Sequence, residues 1–157
     1  MLTGNGKALL KINRSSDRAS NLPLTLKKID GAAITISSDA SSLISNILSN
    51  MNLKVGTGST EPTKDDYTLT NADAGLTVVS SNGTNTNDGA SYEQNYVAIF
   101  TKTYANNTDQ DVVVSEVGVY SGYSYGGTQY TYLFTRDAFD PVTIAPGETY
   151  TFTARIG

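Results

Sequence analysis

The chain has 157 residues and a net charge of −4, with no cysteine, no histidine, no tryptophan, ten tyrosines and 17% charged side chains. At this length one hydrophobic core is efficient, and roughly 68–70% of the unfolded chain's surface can be buried without covalent staples. The missing cysteine and histidine exclude disulfides, thiol nucleophiles and zinc ribbons, and they remove the commonest general base and transition-metal ligand.

Charge is divided unevenly along the chain. Residues 1–55 carry seven basic side chains (Lys7, Lys11, Arg14, Arg18, Lys27, Lys28, Lys54) against three acidic ones, and the remainder carries four basic against twelve acidic. Such asymmetry either orients the molecule on a charged partner or is neutralised internally when the two segments pack together. Seven dispersed cations on an acidic chain do not make the dense basic stripe that phosphate neutralisation needs, so nucleic acid is not an expected partner. Nowhere do 18 apolar residues run together, which predicts neither a membrane span nor export by a standard signal.

In chain order, 7–12 and 24–29 read as strands, and 32–37 pairs back on the second across an Asp30-Gly31 turn. One helix is expected near residues 41–51, where Leu43, Ile44, Ile47, Leu48 and Met51 form an apolar stripe behind a capping Asp39 or Ser41. Residues 56–66 read as a loop, and 80–90 (SSNGTNTNDGA), with no large apolar side chain, as a second and mobile one. Period-two alternation then predicts strands over 92–104, 111–120, 129–136 and 149–156. The turn-forming cluster 106–110 suggests a hairpin between the first two of these. Pro146-Gly147-Glu148 suggests a terminal hairpin between 141–145 and the last strand, and 121–127 reads as a polar connection. The expected fold is all-β: an antiparallel, jelly-roll-like sandwich spanning 1–157 as a single domain, with 1–30 serving as an extended attachment segment.

Few groups are equipped for chemistry. Gly4-Asn5-Gly6-Lys7 lacks the spacing and the following Ser or Thr of a phosphate loop, and Gly56-x-Gly58 lacks the third glycine of a dinucleotide fingerprint. No Asp/Asn cluster has calcium-loop spacing, so neither metal nor cofactor is expected. Glu116 lies inside the apolar run 112–120, where a carboxylate facing inward must be paired. Arg136 or Arg155, each on another predicted strand, is the expected partner in a structural ion pair. The tyrosines around Tyr120, Tyr123, Tyr125 and Tyr130 either fill a sheet face or form a contact surface. With the basic Lys7, Lys11, Arg14 and Arg18 they are the candidate contact residues.

Several segments, in order, resemble a family of small structural proteins of tailed bacteriophages: Val55-Gly56-Thr57-Gly58, Glu61-Pro62-Thr63 with Asp65-Asp66-Tyr67, and Asn106-Asn107-Thr108. They continue with Ser115-Glu116-Val117-Gly118-Val119-Tyr120, Thr135-Arg136-Asp137 and Ala145-Pro146-Gly147-Glu148. The resemblance covers roughly 53–157, and 1–50 matches less clearly. It implies a non-enzymatic virion subunit, assembled in the bacterial host cytoplasm without disulfides. Such a subunit acts through protein contacts as a capsid decoration or auxiliary head protein, or in the neck or tail. It would be a homo-oligomer in the particle, with other virion proteins as partners and neither nucleic acid nor membrane. The alternative is a receptor- or glycan-binding module of a tail or fibre.

Overall fold

β-branched and aromatic residues at alternate positions favour pleated, half-buried backbone, and strands dominate the structure. A computed structural model describes residues 1–8, 23–36, 51–87, 96–125 and 128–156. Among the described residues there are eight strands: β1 (Leu24–Lys27), β2 (Ala33–Ile36), β3 (Asn52–Gly56), β4 (Thr77–Asn87), β5 (Tyr96–Ala105), β6 (Val112–Tyr125), β7 (Thr128–Ile144) and β8 (Thr149–Ile156). They form a β1-β2 hairpin and two three-stranded antiparallel sheets, ordered β3-β6-β7 and β4-β5-β8. The expected helix near 41–51 lies outside the described residues except for Met51, which is not helical.

The two larger sheets share one core. Leu53 and Val55 of β3, Val114 and Val119 of β6 and Ile144 of β7 pack with Ala98, Phe100 and Tyr104 of β5 and Phe152 of β8. A neighbouring cluster joins Leu24, Leu26 and Ile36 of the hairpin to Tyr132 and Phe134 of β7, and the half-buried Met51 and Ile156 touch both clusters. Three consecutive β7 residues, Tyr132, Leu133 and Phe134, are buried. The register slips between Val119 and Tyr120, leaving Phe134 unpaired in a bulge, so successive side chains serve both faces of the sheet.

Two expected hairpins are instead crossings between sheets. β5 and β6 lie in different sheets, as do β7 and β8. Residues 106–111 and 145–148 carry the chain across, and buried Asn106 ties the two crossings together. Its amide donates to Gln110 O (2.7 Å) and Ile144 O (2.8 Å), and its side-chain oxygen accepts from Thr108 N. Its backbone N–H donates to Glu148 O (2.9 Å), and its carbonyl accepts from Gly147 N (2.8 Å). Turn chemistry marked the reversals correctly, but it cannot say whether the chain returns beside its own strand or beside another.

Three further expectations need correcting. Residues 4–8 are helical where a strand was expected from Lys7. Buried Thr3 caps this turn, accepting from Gly6 N, while Lys7 N donates to Thr3 O (3.0 Å). Residues 77–87, read in part as a mobile loop, form β4. Residues 121–125 continue β6, and β7 runs unbroken through Pro141. That proline sits where the β6–β7 register is irregular, between Ala138 and Val142, a place in a sheet where a residue without an N–H is tolerated.

The described parts of the N-terminal third are attached to the sheet. Leu2 bridges Thr135, Thr3 N donates to Phe134 O (3.2 Å), and Arg136 N donates to Met1 O (3.0 Å), so 1–3 cover the outer edge of β7. The Asn5 side chain donates to Lys27 O (2.7 Å) and accepts from Lys27 N (2.8 Å), pairing with the edge of β1 as a strand would.

Candidate functional site

Two buried polar clusters stand out, one on each side of the β3-β6-β7 sheet. The first is built on β6. Glu116 points away from the shared core, on the face that the 57–70 connection covers, and is fully buried. Register places Arg136 opposite Gly118, diagonal to Glu116 on the same face. Arg136 Nε donates to Glu116 Oε2 (2.6 Å) and Nη1 to Asp66 Oδ2 (2.7 Å), while Nη2 donates to Thr60 O and Oγ1 (3.1 Å each). Glu116 Oε1 accepts from Gly58 N (3.0 Å) and Thr70 N (2.6 Å).

Glycine at 56 and 58 is what admits the carboxylate. Gly56 lies directly across β3 from Glu116. A Cβ there would sit 2.5 Å from Glu116 Oε1 and 2.7 Å from Thr70 O, and one at Gly58 would sit 2.7 Å from Oε1. Burial acts against the Asp66 carboxylate, but hydrogen bonds from Thr63 N and Arg136 outweigh it and hold its pKa below the ordinary 3.8. Burial likewise opposes the Arg136 charge, and its two carboxylate partners more than compensate, raising its pKa. Every charge in this hub has an opposite charge in contact. Lys27 lies over the Tyr67 ring, 4.1 Å from its centroid, and clips the same connection to the β1-β2 hairpin.

The second cluster closes the open edge of β3. Leu53 O accepts from Lys102 Nζ (3.1 Å) and from Tyr104 OH (3.4 Å), and Val55 O accepts from Asp73 N (2.7 Å). Edge carbonyls that would otherwise template another strand are thereby occupied. Asp73 Oδ1 accepts from Tyr104 OH (2.6 Å) and Oδ2 from Lys54 Nζ (2.9 Å). Lys102 also donates to Asn52 Oδ1 (3.1 Å). Desolvation, then the adjacent Asp73 carboxylate, pushes the Tyr104 hydroxyl pKa well up. Desolvation pulls the Lys102 pKa down against the opposing charge of Asp73. Asp73 and Ala74 both have left-handed backbone (φ 62° and 47°). That conformation is uncommon for alanine and marks a turn held by its surroundings.

The structure thus brings Glu116 and Arg136 together and leaves Arg155 exposed on β8, in the other sheet. Tyr120 is not a surface residue: it is buried and its hydroxyl accepts from Leu69 N (2.7 Å). Tyr130 is half-buried against the hairpin cluster, and Tyr123 and Tyr125 lie on β6. Lys7 is exposed, and Lys11, Arg14 and Arg18 fall outside the described residues. An ion pair, Lys54–Asp73, joins the basic segment 1–55 to the acidic remainder. Sequence reasoning missed Lys102, whose only signal was its place in the alternation, on the face of β5 shared with Ala98, Phe100 and Tyr104. Among the described residues no group of three or more acidic side chains is arranged to hold a metal. A groove of about 400 Å³ beside the second cluster is lined by Ile29, Asn52, Lys54, Thr68, Tyr120 and Thr131, among others. Neither family models, curated proteins nor solved structures provide a match to this chain.

Proposed function

We propose that this chain is a non-enzymatic structural subunit of a tailed-phage virion, its two larger sheets stacked as a jelly-roll-like sandwich. In this reading it is capsid-associated, as a decoration or auxiliary head protein, or sits in the neck or tail. It works by repeated protein contacts in a symmetric particle, as a homo-oligomer among other virion proteins. One observation carries the reading. Gly56 and Gly58, Asp66, Glu116 and Arg136, which belong to separate segments of the phage-protein resemblance, meet in one buried network whose charges are all paired. Motif residues spent on closing a fold suit a protein whose work is to be a rigid, stable module.

The test is a cryo-EM reconstruction, with quantitative mass spectrometry, of particles produced by the genome that encodes this chain. The expected result is density for a two-sheet domain at symmetry-related positions, in hundreds of copies for head decoration or tens for neck and tail. Purified particles that lack the chain would overturn the proposal. A second reading, a glycan- or receptor-binding module, is favoured by the hydroxyl-lined groove between Asn52, Thr68 and Thr131. It predicts that the chain retains an oligosaccharide from the host surface when removed from the particle.

A further inference from the structure

The amine of Lys102 is buried between carbonyl oxygens and an aromatic ring, with no carboxylate in hydrogen-bond contact among the described residues. The residue is 5% exposed, and among the described residues Nζ has two acceptors, Asn52 Oδ1 and Leu53 O, both neutral. Each oxygen of the nearest carboxylate, Asp73, is already engaged, one by Tyr104 and the other by Lys54. The face of the Tyr104 ring, 5.3 Å from Nζ, completes the surroundings, so the charge is only partly compensated, whereas a neutral amine has two N–H groups for the two oxygens and keeps a lone pair. Desolvation favours the same neutral form. The neutral fraction of a lysine held against a carboxamide, beside the phenol of Tyr104, is a nucleophile placed on an electrophile.

We propose that Lys102 and Asn52 join in an intramolecular isopeptide bond that fixes β5 of one sheet to β3 of the other. The Nζ lone pair attacks Cγ of Asn52, and the Cγ–Nδ2 bond breaks with its electron pair passing to nitrogen. Nδ2 takes up the proton shed by Nζ and departs as ammonia. Nothing is oxidised or reduced and no co-reactant is consumed. Rotation about Cβ–Cγ turns the face of the Asn52 carboxamide toward Nζ, which already lies 3.1 Å from Oδ1. Asp73 is the positioning residue: hydrogen-bonded to Tyr104 and Lys54, it fixes the edge cluster around the amine. Asn52 itself is exposed and lines the groove, so ammonia leaves directly to solvent. In a chain with no cysteine, this bond provides the inter-sheet staple that a disulfide would provide elsewhere, between residues 50 apart. The bond requires only the folded chain and is independent of the proposed virion role.

The test is the intact mass of the purified full chain, fresh and after prolonged incubation, followed by tandem mass spectrometry of a tryptic digest. The expected result is a mass lower than the sequence by one ammonia, with the deficit mapped to a branched peptide linking Lys102 to Asn52. Asn52→Ala and Lys102→Met return the full mass and lower the melting temperature, and Asp73→Asn slows the loss of ammonia. A wild-type chain of full mass overturns the proposal whether or not the variants fold. So does an ammonia deficit located as a succinimide at Asn82-Gly83 with no branched peptide.

Discussion

The two buried clusters contain similar residues and solve their electrostatics differently. In the Glu116–Arg136–Asp66 hub both carboxylates contact the guanidinium, and backbone N–H groups or Thr60 occupy the remaining valences. At the β3 edge, Lys54 and Tyr104 use up Asp73, and Lys102 is left with neutral acceptors. A matched network costs little once built and resists change. A buried amine without a carboxylate in contact has its charged form disfavoured. Closed clusters therefore read as architecture and open ones as chemistry.

The largest effect should come from breaking the closed hub. Glu116→Ala strands Arg136, which is 4% exposed, with Asp66 alone, and it removes the acceptor for Gly58 N and Thr70 N. The expected loss is about 3 to 5 kcal/mol in urea unfolding. Glu116→Gln keeps an acceptor for the two amides and should lose less. A loss for Glu116→Ala below about 1 kcal/mol, the level of an exposed pair, would place the hub among incidental contacts and dissolve the contrast.

Next in size is the fit of backbone to carboxylate. In Gly58→Ala the new methyl group would stand 2.7 Å from Glu116 Oε1 and 2.8 Å from Cδ and Oε2, an overpacking worth about 1 to 3 kcal/mol. In a double-mutant cycle with Glu116→Ala that penalty should largely vanish, because the clashing atoms are gone. Additive costs would show that Gly58 serves the backbone of its loop instead of the carboxylate.

How much of this was legible in the sequence depended on whether a residue announced its environment locally. The β1-β2 hairpin and β8 alternate clearly because one face of each is buried. The first half of β4 does not: 77–82 are all exposed, and a stretch of strand with no buried side chain resembles a loop. Glu116 was readable because a carboxylate in an apolar run needs a partner. Choosing Arg136 over Arg155 required knowing that β7, not β8, lies beside β6. That information resides in the two crossings at Asn106, where turn signals are the same for a hairpin and for a change of sheet. Lys102 was silent for the opposite reason: one lysine among threonines and tyrosines of a strand looks like an ordinary solvent-facing residue.

A pH titration separates the clusters by sign. Asp66 has a folded pKa below its ordinary 3.8, so the stability it adds is present above that value and fades as pH falls through the lower folded value. Between about pH 5 and about pH 2 the urea midpoint should drop, and less steeply in Asp66→Asn. For a free Lys102 the folded pKa lies below 10.5, so just below 10.5 the unfolded chain binds the extra proton and stability rises with pH. That rise is expected in Asn52→Ala, where the amine stays free, and not in a wild-type chain whose amine is bonded. An identical alkaline rise in both chains would show a titrating Lys102 in each.

The smallest effect is the sharpest check on which arginine matters. Arg155 lies opposite Ile99 in the β5–β8 ladder and is exposed on that sheet, so its charge is already hydrated in the folded chain. Removing it strands no buried partner and opens no cavity. Arg155→Ala should therefore change stability by no more than about 0.5 kcal/mol, within error of wild type in the same urea titration that registers Glu116→Ala. A loss of several kcal/mol would mean that Arg155 has a buried partner, and the pairing of β6 with β7 that gives Glu116 to Arg136 would have to be redrawn. If Arg155→Ala leaves the isolated chain intact but weakens its retention on particles, the outer face of the β4-β5-β8 sheet is a contact surface. The arginine chosen against on grounds of stability would then be the one that acts in assembly.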